Sequence, residues 1–221
     1  MAANNPRGLA DLVHAILRPF QSEALLAVAE RGTDAIPNID IDALFGEAVI
    51  NRFYADGYLR GEKLSPDRFP LQLGRHAVLP WPWNHGRYVD AVASIGAAKI
   101  DPDDPWSRHH SGAWRQDSNH LITLWLPWGI ATVGGGNHSI MAGILAGEGV
   151  IVPDSVFDMQ CVLANVHTDG LAWFDTASDR PIGKVDDPRA AAVFEIGRLM
   201  IQTGFPAFHD ALRPLTETAG T

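Results

Sequence analysis

Apolar positions recur at helical spacing near the start of the chain and give way to short runs after about residue 70. In residues 8–31, Leu9, Leu12, Val13 and Ile16 share one helix face, and Leu25, Leu26 and Val28 resume the pattern before Gly32. Pro19 lies between the two sets and predicts a break, because proline lacks an N–H and crowds the carbonyl one turn back. A second helix is predicted from an Asp40 or Asp42 cap through Phe45, Val49 and Phe53 to Gly57. Segment 61–70 is polar and carries Pro66 and Pro70. It reads as a loop dividing a helical N-terminal extension (1–60) from an α/β domain (70–221).

Beyond the loop, strand-like runs alternate with helices. Leu71–Leu73 and Ala77–Leu79 predict a strand, and Asn84 is placed to cap a helix that runs through Tyr88, Val89 and Val92 to Ile95, with Gly96 ending it. Leu121–Trp125, Ile130–Val133, Val150–Val152 and Leu171–Phe174 read as further strands. A helix is predicted over Asn137–Ala146, packed on the sheet through Ile140, Ile144 and Leu145. Asp187 followed by Pro188 marks the start of a last helix through Ala191, Phe194, Ile196 and Met200. The expected fold class is α/β (α+β), a small mixed sheet with helices.

Composition narrows the class. Apolar residues make up 46% and charged ones 19%, so a sizeable core is expected and general disorder is not. No run approaches the roughly 20 apolar residues of a membrane span, so no membrane insertion is expected. The N-terminal segment lacks the layout of a secretory signal. Cys161, alone and in an apolar run, reads as a buried thiol. Together these features predict a soluble, cytoplasmic protein. The net charge of −9 excludes indiscriminate coating of nucleic acid, although residues 52–115 carry +2 against −11 for the rest.

Candidate chemistry concentrates between residues 76 and 138, which hold six of the nine histidines and six of the seven tryptophans. The sharpest motif is Gly134-Gly135-Gly136-Asn137-His138-Ser139, glycines between a predicted strand and a predicted helix. Such a turn permits close backbone approach to a ligand, and the helix start offers unpaired N–H groups suited to phosphate. His138 has the chemistry of an acid, base or metal ligand, and Ser139 that of a hydroxyl donor. The same residues also suit a plain tight turn in which Asn137 or Ser139 caps the helix. Asp117, Asn119 and His120 precede the strand that leads toward the turn, so both motifs are expected at one end of the sheet. There Asp117 has the chemistry to hold Mg²⁺, His120 or His138 to deprotonate water, and Arg87, Arg108 or Arg115 to face a phosphate. Asp101, Asp103 and Asp104 read as a solvated loop. His109-His110 lacks the spacing of a structural zinc site.

Residues 130–153 resemble the signature of the ParB/sulfiredoxin superfamily, a strand leading through a Gly-(Asn/Cys)-His-Arg turn into a helix, then a strand with a Val-Pro step. Ser139 departs from that pattern at the arginine position. With Pro80-Trp81-Pro82-Trp83, Asn84-His85-Gly86-Arg87, Asp117-Ser118-Asn119-His120 and Leu126-Pro127-Trp128-Gly129, the chain is most similar to plasmid fertility-inhibition factors, which block conjugative DNA transfer. The resemblance implies ATP or another nucleotide with Mg as cofactors, ATPase and DNase activity, and DNA, including single-stranded transfer DNA, as a partner. A reading from another class keeps the same pocket but makes the protein a non-catalytic inhibitor. It would dock through Trp81, Trp83 or Trp106 on a type IV secretion coupling protein. A third reading is a metal-dependent hydrolase of a small molecule.

Overall fold

The computed structural model describes residues 7–32, 39–57, 66, 69–104 and 111–204. In chain order the elements are α1 (Arg7–Arg31), α2 (Ile41–Phe45), α3 (Glu47–Arg52, continued by a π turn over Phe53–Gly57), β1 (Leu71–Gln72), β2 (Val78–Leu79), α4 (His85–Ser94), β3 (Ile122–Leu126), β4 (Ile130–Val133), α5 (Asn137–Ala146), β5 (Val150–Ile151), β6 (Ser155–Asp158), α6 (Gln160–Asn165), β7 (Val166–Thr168), β8 (Ala172–Asp175), β9 (Arg180–Lys184) and α7 (Pro188–Gln202). The class is α+β, as expected. Most of the loop predicted at 61–70 lies outside the described residues.

Pro19 does not interrupt α1, which runs 25 residues through it. An interior proline costs a helix about 3 kcal/mol, whereas burying one Val or Leu side chain contributes about 1.5–3 kcal/mol. Leu9, Val13 and Leu17 before the proline and Ala24, Leu25 and Val28 after it are all buried, so tertiary packing outweighs the local defect. The second predicted helix instead divides at Gly46, whose φ of 81° ends α2. Asp40 caps α2 as predicted, accepting from the Ala43 N–H at 2.9 Å.

The main sheet has the order β2-β4-β3-β6. β2 runs parallel to β4, β4 antiparallel to β3 in a hairpin pairing Ile122 with Val133 and Trp125 with Ile130, and β3 parallel to β6. β1 and β5 form a two-stranded ribbon, and β7-β8-β9 an antiparallel meander. Side chains alternate along β3. Ile122, Leu124 and Leu126 join a core with Leu71, Val78 and Ile140, while Trp125 faces a larger core shared with α1, α2 and α7. That larger core links Leu9, Val13 and Leu17 to Ile130 and Phe194, so the N-terminal helices and the sheet are packed as one unit. Its centre is aromatic: Phe45 lies 4.9 Å from Trp128 and Trp173 lies 5.0 Å from Phe194 between ring centroids. The indole N–H of Trp128 donates to the Val193 carbonyl at 2.7 Å. Gly197 makes the room, since a Cβ there would sit 2.2 Å from Trp128 Nε1. Cys161 is half-buried rather than fully enclosed.

α5 follows β4 as expected, yet it turns Ile140, Met141, Ala142 and Gly143 inward. Leu145, predicted to pack on the sheet, is 52% exposed. The helix is apolar nearly all round, so its sequence carries no clear face, and α4 claims the side bearing Met141 and Ala142.

His76 lies on the turn between β1 and β2 and is 8% exposed. Its Nδ1 accepts from the Gln72 N–H at 2.6 Å. Burial pushes its pKa down to about 4, and His14, whose ring lies 6.4 Å away, is lowered for the same reason. A histidine whose folded pKa lies below the unfolded value of about 6.5 binds fewer protons folded than unfolded, so stability is lost as pH falls from about 6.5 toward about 4. Urea unfolding at pH 7 and pH 4.5 should show His76 contributing a loss on the order of 2–3 kcal/mol over that interval. A His76→Asn protein should lose correspondingly less; an unchanged loss would show that His76 is not the responsible group.

Candidate functional site

The glycine turn is built from β4 outward. Gly134 and Gly135 both direct their N–H groups at the Leu121 carbonyl, at 2.8 and 3.3 Å. These two amides are therefore consumed inside the fold, and the amides open to a ligand are those of the helix start. Gly135 and Gly136 are required by close packing. A Cβ on Gly135 would meet the Asn119 carbonyl oxygen at 2.5 Å, and one on Gly136 would meet His120 Cδ2 at 2.3 Å. Only Gly136 is left-handed, with φ 72°, and it caps α5 without any side-chain hydrogen bond.

The next three side chains are not used for capping either. The Asn137 carbonyl oxygen accepts from the Trp81 N–H at 2.6 Å. His138 Nε2 accepts from the Asn84 N–H at 3.0 Å. Ser139 Oγ lies 3.0 Å from His120 Nε2. Consecutive residues thus hold three separate segments around the helix start, while the N–H groups of the first turn of α5 keep their usual outward direction. Asn84 in turn caps α4 by accepting from the Arg87 N–H at 2.9 Å, which sets Arg87 over the Trp83 ring at 5.5 Å. His138 meets the same indole edge-on at 5.5 Å.

The result is a concavity of ≈ 350 Å³ lined by Trp83, Arg87, Asn119 and the Gly134–Ser139 turn. Of the predicted residues, Gly134, Gly135, Gly136, Asn137, His138, Ser139 and Arg87 meet there. His120 does not line it. It is 3% exposed, behind Gly136 and 5.0 Å from the Trp114 ring. Asp117 and Arg115 are exposed and also lie outside the lining. Arg108, His109, His110 and Trp106 fall outside the described residues. Sequence reasoning left Trp83 and Asn119 out of the binding set; the aromatic run just before the Asn84 cap was the signal for the first.

Protonation follows from the donors. The Asp117 N–H, a fixed donor, points at His120 Nδ1 from 2.8 Å, and the Asp117 carboxylate lies 3.0 Å from the same nitrogen. In the neutral ring Nδ1 accepts, so Nε2 carries the hydrogen and donates to Ser139 Oγ. His120 therefore orients the serine rather than deprotonating it, which leaves the serine hydrogen free to point toward the concavity. His138 is likewise neutral, since Nε2 accepts from Asn84 and its hydrogen sits on Nδ1. Burial holds its pKa below the usual histidine value, and the Arg87 charge acts in the same direction. Its remaining polar group is a donor. Among the described residues no three His, Cys, Asp or Glu side chains converge as a metal site would need. Asp117 is a single exposed carboxylate whose Oδ1 accepts from the Asn119 N–H at 2.8 Å.

Fold and cleft together define a mixed α+β protein whose sheet-to-helix turn opens on a polar concavity with an indole wall. Over residues 1–207 its sequence matches the model of a family of unknown function (DUF6710), and the chain belongs to that family. No curated protein and no solved structure matches it.

Two glycines separate the packing requirement from the motif. Gly136→Ala, with its left-handed φ and the His120 ring behind it, should cost about 2–4 kcal/mol in denaturant unfolding. Gly134→Ala should change stability by less than about 0.5 kcal/mol, because a Cβ there meets only Leu121 at 3.7 Å. Equal costs at both positions would contradict this account.

Proposed function

We propose that the concavity at the glycine turn is a phosphate seat and that the protein acts on a nucleotide or a DNA strand. On this reading it is a ParB/sulfiredoxin-like phosphohydrolase of the fertility-inhibition kind, acting to block conjugative transfer in the cytoplasm. The observation that carries the reading is the meeting of the Arg87 guanidinium, the start of α5 and the His138 ring around one indole. Arg87 takes the place of the arginine that Ser139 replaces in the motif. A phosphate at the helix start is favoured by the open amides and the positive end of the dipole. Trp83 offers a face for stacking a base. The neutral His138 acts as a hydrogen-bond donor to a phosphate oxygen, and the Ser139 hydroxyl donates beside it.

Purified protein should hydrolyse ATP or nick single-stranded DNA, assayed with and without magnesium. Arg87→Ala and His138→Ala should each lower the rate about a hundredfold, the scale of losing one donor to the transition state. Retention of full activity by both variants would dismiss the concavity as the active centre.

The non-catalytic reading has one observation in its favour. Trp81, Trp83 and Leu121 are 39–50% exposed beside the turn, an apolar rim that suits a protein partner such as a secretion-system coupling protein. A wild-type protein without either activity that still blocks transfer, and loses the block on Trp81→Ala, would establish docking instead.

A further inference from the structure

A second cavity lies between α1 and the turn that joins β1 to β2, at the opposite end of α5 from the glycine turn. Its volume is ≈ 220 Å³, and His14, Arg18, Gln21, Ser22, Arg75 and His76 supply its polar lining. Among the described residues no carboxylate lines it. Arg52, Arg189 and Arg198 each make an ion pair, whereas among the described residues neither Arg18 nor Arg75 does. In a chain of net charge −9, two guanidiniums without a carboxylate facing one cavity call for an anion from outside. Two of the nearby acids are engaged elsewhere. Glu23 pairs with Arg189 and Glu148 accepts from the Ala97 and Trp114 amides; among the described residues Asp11 is the one acid whose charge reaches a lining residue, His14, and it is not itself part of the lining.

The imidazole adds a directed donor. The Gln72 N–H is a fixed donor aimed at His76 Nδ1 from 2.6 Å, with the Gln72 carbonyl 3.1 Å from the same nitrogen. With Nδ1 accepting, the ring hydrogen is on Nε2, for which no described residue supplies a partner. The cavity wall is also held in register, since the Gln21 amide donates to the Val78 carbonyl and fastens α1 to β2. Two guanidiniums from separate elements, a hydroxyl and an imidazole N–H surround a group with three terminal oxygens better than a planar carboxylate, which offers two.

We propose that this cavity is a separate anion site that takes the phosphate group of a small phosphate monoester between Arg18 and Arg75. The site stands apart from the glycine turn and does not rest on the function proposed there. Isothermal titration calorimetry on the full chain with glycerol 3-phosphate, inorganic phosphate and citrate tests it. Glycerol 3-phosphate should bind, and Arg18→Gln and Arg75→Gln should each weaken it by at least about tenfold. Both side chains are exposed, so circular dichroism should show an unchanged fold; Arg18→Lys, which keeps the charge but not the fork, gives an intermediate loss. Arg87→Ala should leave the affinity unchanged. Binding that fails with Arg87→Ala but survives both glutamine variants would place the ligand at the glycine turn and overturn the proposal. So would absence of binding to the wild type. Citrate binding more tightly than either phosphate compound would overturn the assignment to phosphate.

Discussion

The contact between Gly136 and the His120 ring governs the candidate site. A left-handed residue without a side chain lets the chain leave β4, pass over the imidazole and start α5 within hydrogen-bond reach of three other segments. With any other residue the ring would have to move. His120 would then lose Ser139, and the turn of α5 that holds Trp81 and Asn84 would shift with it. The buried histidine is thus a spacer and an orienting donor, and the chemistry in front of the turn is left to groups it positions.

The same geometry explains which parts of the site could be read in the sequence. Glycines between a strand and a helix, and an asparagine before Gly86-Arg87, are local signals, and both gave the right backbone: a turn at 134–136 and a capped α4. Which side chains converge is set by tertiary contacts. His120 and His138 look alike as symbols, yet one is sealed behind the turn and the other lines the cleft. Nothing in the motif records that the Leu121 carbonyl receives the amides of both Gly134 and Gly135.

The fold shows the same division. Caps at Asp40, Asn84 and Asp187 are short-range chemistry, and each accepts the predicted kind of backbone N–H. β3, β4 and α5 were legible because apolar runs are bounded there by turn residues. Continuity of α1 through Pro19 was not, since Leu9, Val13, Leu17, Ala24 and Leu25, which help offset the proline, pack with residues from distant parts of the chain. β6, β7 and β9 are short and mixed in polarity, and pairing with neighbours decides their state.

Trp128 and Gly197 have a consequence for how the chain is made. The indole on the β3–β4 hairpin finds its acceptor and its space only on α7, some 65 residues later. α1, which precedes that helix by more than 150 residues, rests on it as well. While the polypeptide is emerging, the aromatic face around Phe45 and Trp128 therefore waits uncovered until residues 193–197 arrive. A nascent chain of this kind closes this core only once α7 has been made, and until then its exposed aromatic surface is open to meeting another copy.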